Sequence, residues 1–214
     1  MLRKGFVEIQ IEMLGTMLAK ILFPKSHADY AAASLAIRQA SQHETGLDIF
    51  VLASLTDDSL RAQFTGSSGL DAGSCLVIGC LMQEQADICR LQGQPEREAI
   101  LERKALFLLL TAMLHEARFH TPEYKERIES LLSHVAYQEL AASEQHLLFR
   151  YHELQGNYAR AEDVLFALRE NAYPRWDEEA HAFYRHLLAC PDEALIAGGL
   201  TREEVIETMA ELED

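Results

Sequence analysis

Glu178 and His181 are the side chains best placed to do chemistry. Their i, i+3 spacing puts a carboxylate and an imidazole on one helix face, as in helical bundles that hold paired iron or manganese ions. Such a site also needs a second copy of the pair and further carboxylates on facing helices. The other histidines do not supply it: His115 and His120, His146 and His152, and His181 and His186 stand five or six residues apart, off a shared ligand face. The pair therefore reads as a solvated helix surface with one histidine on it. Nucleophiles are as poorly supported. Ser67, Ser68 and Ser74 lie near glycines but outside any GxSxG turn between strand and helix. Cys75, Cys80 and Cys89 read as small buried hydrophobes, and Cys190 completes no CxxC pair. The run Gly66-Ser67-Ser68-Gly69 has neither the following Lys-Ser/Thr nor the preceding strand of a phosphate-cradling loop, so it predicts a flexible connection near 65–71. No catalytic, cofactor-binding or metal-binding residue is assigned, and the sequence does not locate the binding residues.

The elements that would carry these side chains are helices throughout. Apolar residues recur at three and four, and turn signals fall between the runs. Helices are predicted at 2–23, 27–43, 47–54, 57–64, 72–92, 95–119, 122–136, 139–155, 158–171, 175–189, 191–197 and 201–212, in one all-helical domain over 1–214 with acidic C-terminal helices at 175–214. Pro24, Pro95, Pro122, Pro174 and Pro191 fall at proposed starts or just before them, where a missing N–H costs little. Thr201 with Glu204 has the spacing of a capping box. Trp176, the single tryptophan, and Tyr124, Tyr137, Tyr151 and Tyr158 read as packing residues.

Composition limits the function classes. At 49% hydrophobic residues the chain buries a core, and a formal charge of −15 opposes phosphate binding, which excludes a nucleic-acid role without a local basic face. Residues 176–214 hold eleven acidic and two basic side chains, making the tail the acidic pole. Unpaired cysteines in apolar contexts predict a reduced, cytoplasmic protein. Glu8, Gln10 and Glu12 interrupt the apolar start, so it reads as a retained helix rather than a signal peptide, and no run has the length of a membrane span. In that first helix Phe6, Val7, Ile9, Ile11, Met13, Leu14, Met17, Leu18, Ile21 and Leu22 cover an arc of roughly 220° on a 100° wheel. An arc that wide faces two neighbours: two helices of the same chain, or one helix and a second subunit in a homodimer. The apolar middles of 72–92 and 95–119 mark the centre of the fold.

The stretch from Leu147 to Leu168 carries the most organised pattern. Leu147, Leu148, Tyr151 and Leu154 form one stripe, Gly156-Asn157 permits a tight turn, and Tyr158, Ala161, Leu165 and Leu168 form a second stripe, with small Ala161 where the helices approach. Arg90-Leu91-Gln92-Gly93 echoes the end of its first helix, and Tyr30 with Ala33 repeats the Tyr158 and Ala161 spacing. These hairpins resemble tetratricopeptide (TPR) repeats. In the second, Pro95 and Glu98 replace the aromatic and the alanine; in the first, Ala28 stands in the glycine's place; no regular period of about 34 residues links the three. The whole chain is similar to a group of uncharacterised bacterial proteins with a divergent repeat fold, through Ile21-Leu22-Phe23, the segment Gly156 to Asp163, and Ile196-Ala197-Gly198-Gly199-Leu200 followed by Thr201-Arg202-Glu203-Glu204. The resemblance implies an all-α fold of antiparallel helical hairpins in a TPR-like right-handed array and no activity. The functional expectation is a non-catalytic scaffold that holds a protein or peptide partner, without cofactor, nucleic acid or membrane. The alternative is a helical-bundle metal-binding protein or enzyme using His and Glu side chains. A third possibility is a structural protein that associates only with itself.

Overall fold

The computed structural model describes the backbone of residues 2–213 and the side chains of residues 12–212. The protein is all-α apart from one miniature hairpin, and it divides into two compact units, Met1–Val135 and Ala136–Asp214. Unit 1 contains α1 (Leu2–Ser26), α2 (Tyr30–Thr45), α3 (Ile49–Ala53), α4 (Asp57–Gln63), the strands β1 (Thr65–Gly66) and β2 (Gly69–Leu70), α5 (Ala72–Leu91), α6 (Pro95–His115) and α7 (Pro122–Leu132). Unit 2 contains α8 (Ala142–Leu154), α9 (Tyr158–Glu170), α10 (Trp176–Ala189), α11 (Asp192–Ala197) and α12 (Arg202–Glu213). Single 3-10 turns at Ala117–Phe119 and Tyr137–Glu139 shorten what the sequence predicts as longer helices at 95–119 and 139–155.

Local chemistry sets the helix starts. The Asp29, Asp48 and Asp71 carboxylates accept from the amides of Ala32, Phe50 and Ser74 at 3.0 Å, the Thr56 hydroxyl accepts from Ser59, and Glu204 Oε2 accepts from the Thr201 amide at 2.7 Å in the predicted box. The ends share one device. At Ala28, Gly93, Gly156, Ala172 and Gly199 the chain takes φ of +57°, +67°, +71°, +51° and +88°. In each case that residue's amide and the next one return to the carbonyls three and five positions earlier, as in Gly156 N to Glu153 O and Asn157 N to His152 O. This is a Schellman stop, which satisfies carbonyls the helix leaves open. Ala28 therefore adopts the conformation that glycine has at the two turns it was aligned with.

Two expectations change. Pro24 lies inside α1 and starts no helix; the chain runs on to Ser26, and the Pro24 carbonyl instead receives the amides of His27 and Asp29 in the stop. Residues 65–70, predicted as a flexible connection, pair antiparallel as Thr65↔Leu70 and Gly66↔Gly69, with Ser67-Ser68 as the turn.

Unit 1 is built around the hairpin of α5 and α6. Residues Ala72 to Ala86 of α5 are all buried, and a methyl group on Gly79 would stand 3.0 Å from the Leu109 side chain, so glycine there sets the close approach of the two helices. The first helix packs on α2 and α5, two helices of its own chain, through Leu14, Leu18 and Ile21. Phe6, Val7, Ile9 and Ile11 of its predicted arc lie outside the described side chains; Leu22 and Phe23 are exposed. Unit 2 has an aromatic core, with Phe149 edge-on to Phe183 at 5.4 Å, Phe183 against Tyr184 at 5.3 Å, and Tyr151 and Ala161 fully buried. Its last turn locks onto the α8–α9 hairpin: Gly198 accepts from the Ala159 amide at 2.9 Å, and a Cβ there would fall 2.3 Å from the Tyr158 ring and 2.6 Å from the Gly156 carbonyl.

Candidate functional site

Polar side chains of α8 and α10, with Glu153, Glu179 and His146 half-buried and Arg150 and His186 exposed, join in a continuous ladder. His146 Nε2 donates to Glu179 Oε1 at 3.1 Å, and Arg150 Nη1 lies 3.8 Å from Glu179 Oε2 and 2.8 Å from Glu153 Oε2. Glu153 Oε1 then accepts from His186 Nδ1 at 3.0 Å. Aromatic rings hold both ends: His146 stacks on Tyr173 at 5.2 Å, and His186 meets Tyr158 edge-on at 6.1 Å. The Tyr158 hydroxyl lies 3.7 Å from Cys190 Sγ. One nitrogen of each imidazole is committed to a carboxylate, so the ladder works as a cross-helix tie.

Beneath it, buried polar groups are nearly all satisfied. Glu144 Oε2 accepts from the Ala141 amide at 2.8 Å, Gln145 joins the Tyr137 carbonyl to Asn171, and Tyr184 donates to Glu162 at 2.6 Å. His152 is the exception. Burial, with a smaller contribution from Arg160, pushes it down to about 4, so the ring is neutral at neutral pH, and its Nδ1 has no hydrogen-bond partner among the described residues.

Unit 1 draws two carboxylates, Glu84 and Glu102, into its interior and pairs both. Lys25 Nζ lies 2.8 Å from Glu84 and 2.7 Å from Asp87; Arg127 reaches Glu84 at 3.2 Å and Gln83 at 2.9 Å; Arg90 pairs with Asp87. His134 donates to Glu102 at 3.0 Å. Burial holds the Glu102 carboxyl above its ordinary value, against the opposing pull of His134. These contacts fasten α1 and α7 to α5, and the turn after α7 to α6.

The sequence candidates for chemistry lie apart. Glu178 points to solvent and pairs with Arg175 at 3.0 Å, while His181 Nδ1 donates to the Asp177 carbonyl at 2.7 Å; no second acid joins them. Among the described residues no group of three or more His, Cys, Asp or Glu side chains has an arrangement suited to a metal ion. Cys75, Cys80 and Cys89 are buried, and burial raises the first two thiols to about 12, which keeps them protonated and unreactive; Cys190 is partly exposed. Ser74 Oγ lies between Glu44 at 2.6 Å and Asp71 at 3.0 Å, in a helix start. Sequence reasoning missed the ladder because its partners are far apart in the chain. The one available signal was that His146 to Glu179 and Glu153 to His186 are both separations of 33 residues.

The model of DUF6483, a family of unknown function, matches residues 1–214. The chain belongs to that family. No curated protein and no solved structure matches it. No helix among the described residues is long and apolar enough to cross a membrane. The two units differ sharply in charge: all five lysines fall in residues 1–135, whereas residues 136–214 hold seventeen acidic side chains against six arginines, a net −11 of the chain's −15.

Proposed function

We propose that the protein is a non-catalytic scaffold of antiparallel helical hairpins in a TPR-like right-handed array, and that it holds a basic protein or peptide partner through its C-terminal unit. The array is supported by the left-handed stop shared by Ala28, Gly93 and Gly156, and by the starts of α8 and α10, Ala142 and Trp176, which stand 34 residues apart. The observation that carries the interaction role is the charge partition. A unit with a closed aromatic core and net −11 attracts cationic surfaces and repels anionic ones. Two of its histidines, His146 and His186, are tied to carboxylates, and His181 to a backbone carbonyl, in keeping with a binding rather than a chemical role.

Affinity capture with the full chain from its native cell extract tests this. The expected result is a basic protein retained at about 0.1 M salt and released near 1 M, where the Debye length falls to about 3 Å. A stoichiometric transition metal in protein purified without a histidine tag would overturn the reading in favour of a metal-binding bundle. Self-association through α1 belongs to the same reading, since Leu22 and Phe23 are exposed beside its buried stripe. Sedimentation equilibrium measures it, and a monomer at micromolar concentration discards it.

A further inference from the structure

A cavity of about 280 Å³ opens in unit 2 between α9, the start of α10 and the last turns of α12, lined by Phe166, Arg169, Trp176, Asp177, Thr208, Glu211 and Leu212. We infer that it takes one basic side chain, a guanidinium or ammonium group, of a partner peptide. This rests on the scaffold reading and names the chemistry of its partner.

The floor is a fixed aromatic face. Trp176 is 7% exposed, and its Nε1 donates to the Leu165 carbonyl at 2.7 Å, so its one polar atom is satisfied and only the indole ring is left for a ligand. That ring already receives a cation: the Arg169 guanidinium carbon lies 4.7 Å from its centroid. Phe166, whose ring centroid is 6.4 Å from that of Trp176, and Leu212 add apolar wall against which the methylene stem of a lysine or arginine packs.

The charges around the cavity favour a cation. Asp177 and Glu211 reach it from different helices, and neither carboxylate has a hydrogen-bond or ion-pair partner among the described residues. Arg169 is the single cation in the lining and is likewise without a carboxylate partner there. Two acids against one base leave the cavity negative within a unit of net −11, so an anion drawn to Arg169 meets repulsion from Asp177 and Glu211. Size selects the kind of cation. Small-molecule sites run to roughly 300–1,000 Å³, and this cavity falls just below that range, sized for one side chain presented by a larger partner.

Trp176 is the only tryptophan in the chain, so its fluorescence reports on this cavity without labelling. The full chain is titrated with acetylated, amidated tetra-arginine, with the citrulline peptide of the same length, with tetra-glutamate, and with free arginine amide. The expected result is a saturable, salt-sensitive change with tetra-arginine alone. Asp177→Asn combined with Glu211→Gln weakens it by tenfold or more. Glu178→Gln, next in sequence but outside the cavity and paired with Arg175, leaves it unchanged. Arg169→Ala decides the sign of the ligand: it strengthens binding of a cation, because it frees the ring and removes a like charge. All four positions are exposed, so these variants keep the fold, which circular dichroism verifies. The proposal is overturned by any of these: no saturable change, equal binding of the citrulline peptide, equal binding of free arginine amide, an unchanged Asn/Gln variant, or tetra-glutamate binding that Arg169→Ala abolishes. A chain that captures a basic partner from extract yet gives no Trp176 response refutes the cavity and leaves the scaffold reading standing.

Discussion

Unit 1 buries charge and unit 2 buries aromatic rings. In the first, Glu84 is 5% exposed and neutralises two cations, Lys25 and Arg127, that come from different helices. In the second, Tyr151, Phe149, Phe183 and Tyr184 fill the core, and the ion pairs form a ladder at its edge, where each half-buried carboxylate meets the exposed Arg150. The difference teaches where each unit is vulnerable. A buried ion network fails when one member is removed, because the partners keep a desolvated charge. An aromatic core fails when volume is lost, and a ladder open to solvent at Arg150 contributes little to stability.

The largest effect follows from breaking the network in unit 1. Glu84→Ala is expected to cost about 3–5 kcal/mol, since Arg127 loses its carboxylate while Lys25 keeps only Asp87. Urea unfolding measures the loss, and hydrogen exchange places it in residues 72–135. A change under about 1 kcal/mol, the size of a surface pair, would show the network to be solvated.

The aromatic counterpart is Tyr158→Ala in unit 2, expected to cost about 3 kcal/mol through the lost ring, which is 8% exposed and packs on Gly198. A thermal melt equal to the parent's would sink the account of this hairpin.

Acid separates the units by sign. The His152 imidazole has its folded value near 4, below the ordinary 6.5 of the unfolded chain, so the unfolded chain takes the proton first as pH falls. Its stabilising contribution is complete above about pH 6.5 and is lost between there and pH 4, about 3 kcal/mol in all. The Glu102 carboxyl of unit 1 is shifted the other way, so in its own window acidification favours the fold. Denaturant stability at several pH values, parent against His152→Gln, isolates the imidazole; a variant that keeps the parent's full slope would show that His152 is not its source.

Smaller is Gly198→Ala, which drives a methyl group into the Tyr158 ring and the Gly156 carbonyl and is expected to cost about 1–3 kcal/mol by thermal melt. Smallest, and of opposite sign, are Ala28→Gly in unit 1 and Ala172→Gly in unit 2. Each relieves a left-handed alanine and is expected to add on the order of 1 kcal/mol. A loss at either position would mean that the alanine methyl packs usefully there.

The helices were legible because their boundaries are written locally. Asp29, Asp71 and the Thr201–Glu204 pair sit at helix starts, and Gly93 and Gly156 at stops, each acting within five residues of the bond it makes. Ala28 shows the limit: its turn matches that at Gly156, yet alanine carries no sign of a left-handed residue, and neighbouring Pro24 was misplaced as a start. The ladder and the Glu84 network were not legible, because their cross-helix contacts join residues 29 to 62 positions apart whose meeting depends on how whole helices pack. The aromatic cavity failed for the same reason. Trp176 was rightly a packing residue, but nothing in its neighbourhood announced that Glu211 would come to the same place.

The lysine partition has a practical consequence. Primary amines of lysine side chains exist only in residues 1–135, so coupling to an amine-reactive surface tethers the protein by unit 1 and leaves every acidic group of unit 2 chemically untouched. Lysine-directed cross-linkers, for the same reason, find no anchoring side chain within residues 136–214. Reagents that activate carboxylates, or that target the partly exposed Cys190, attach within unit 2 itself.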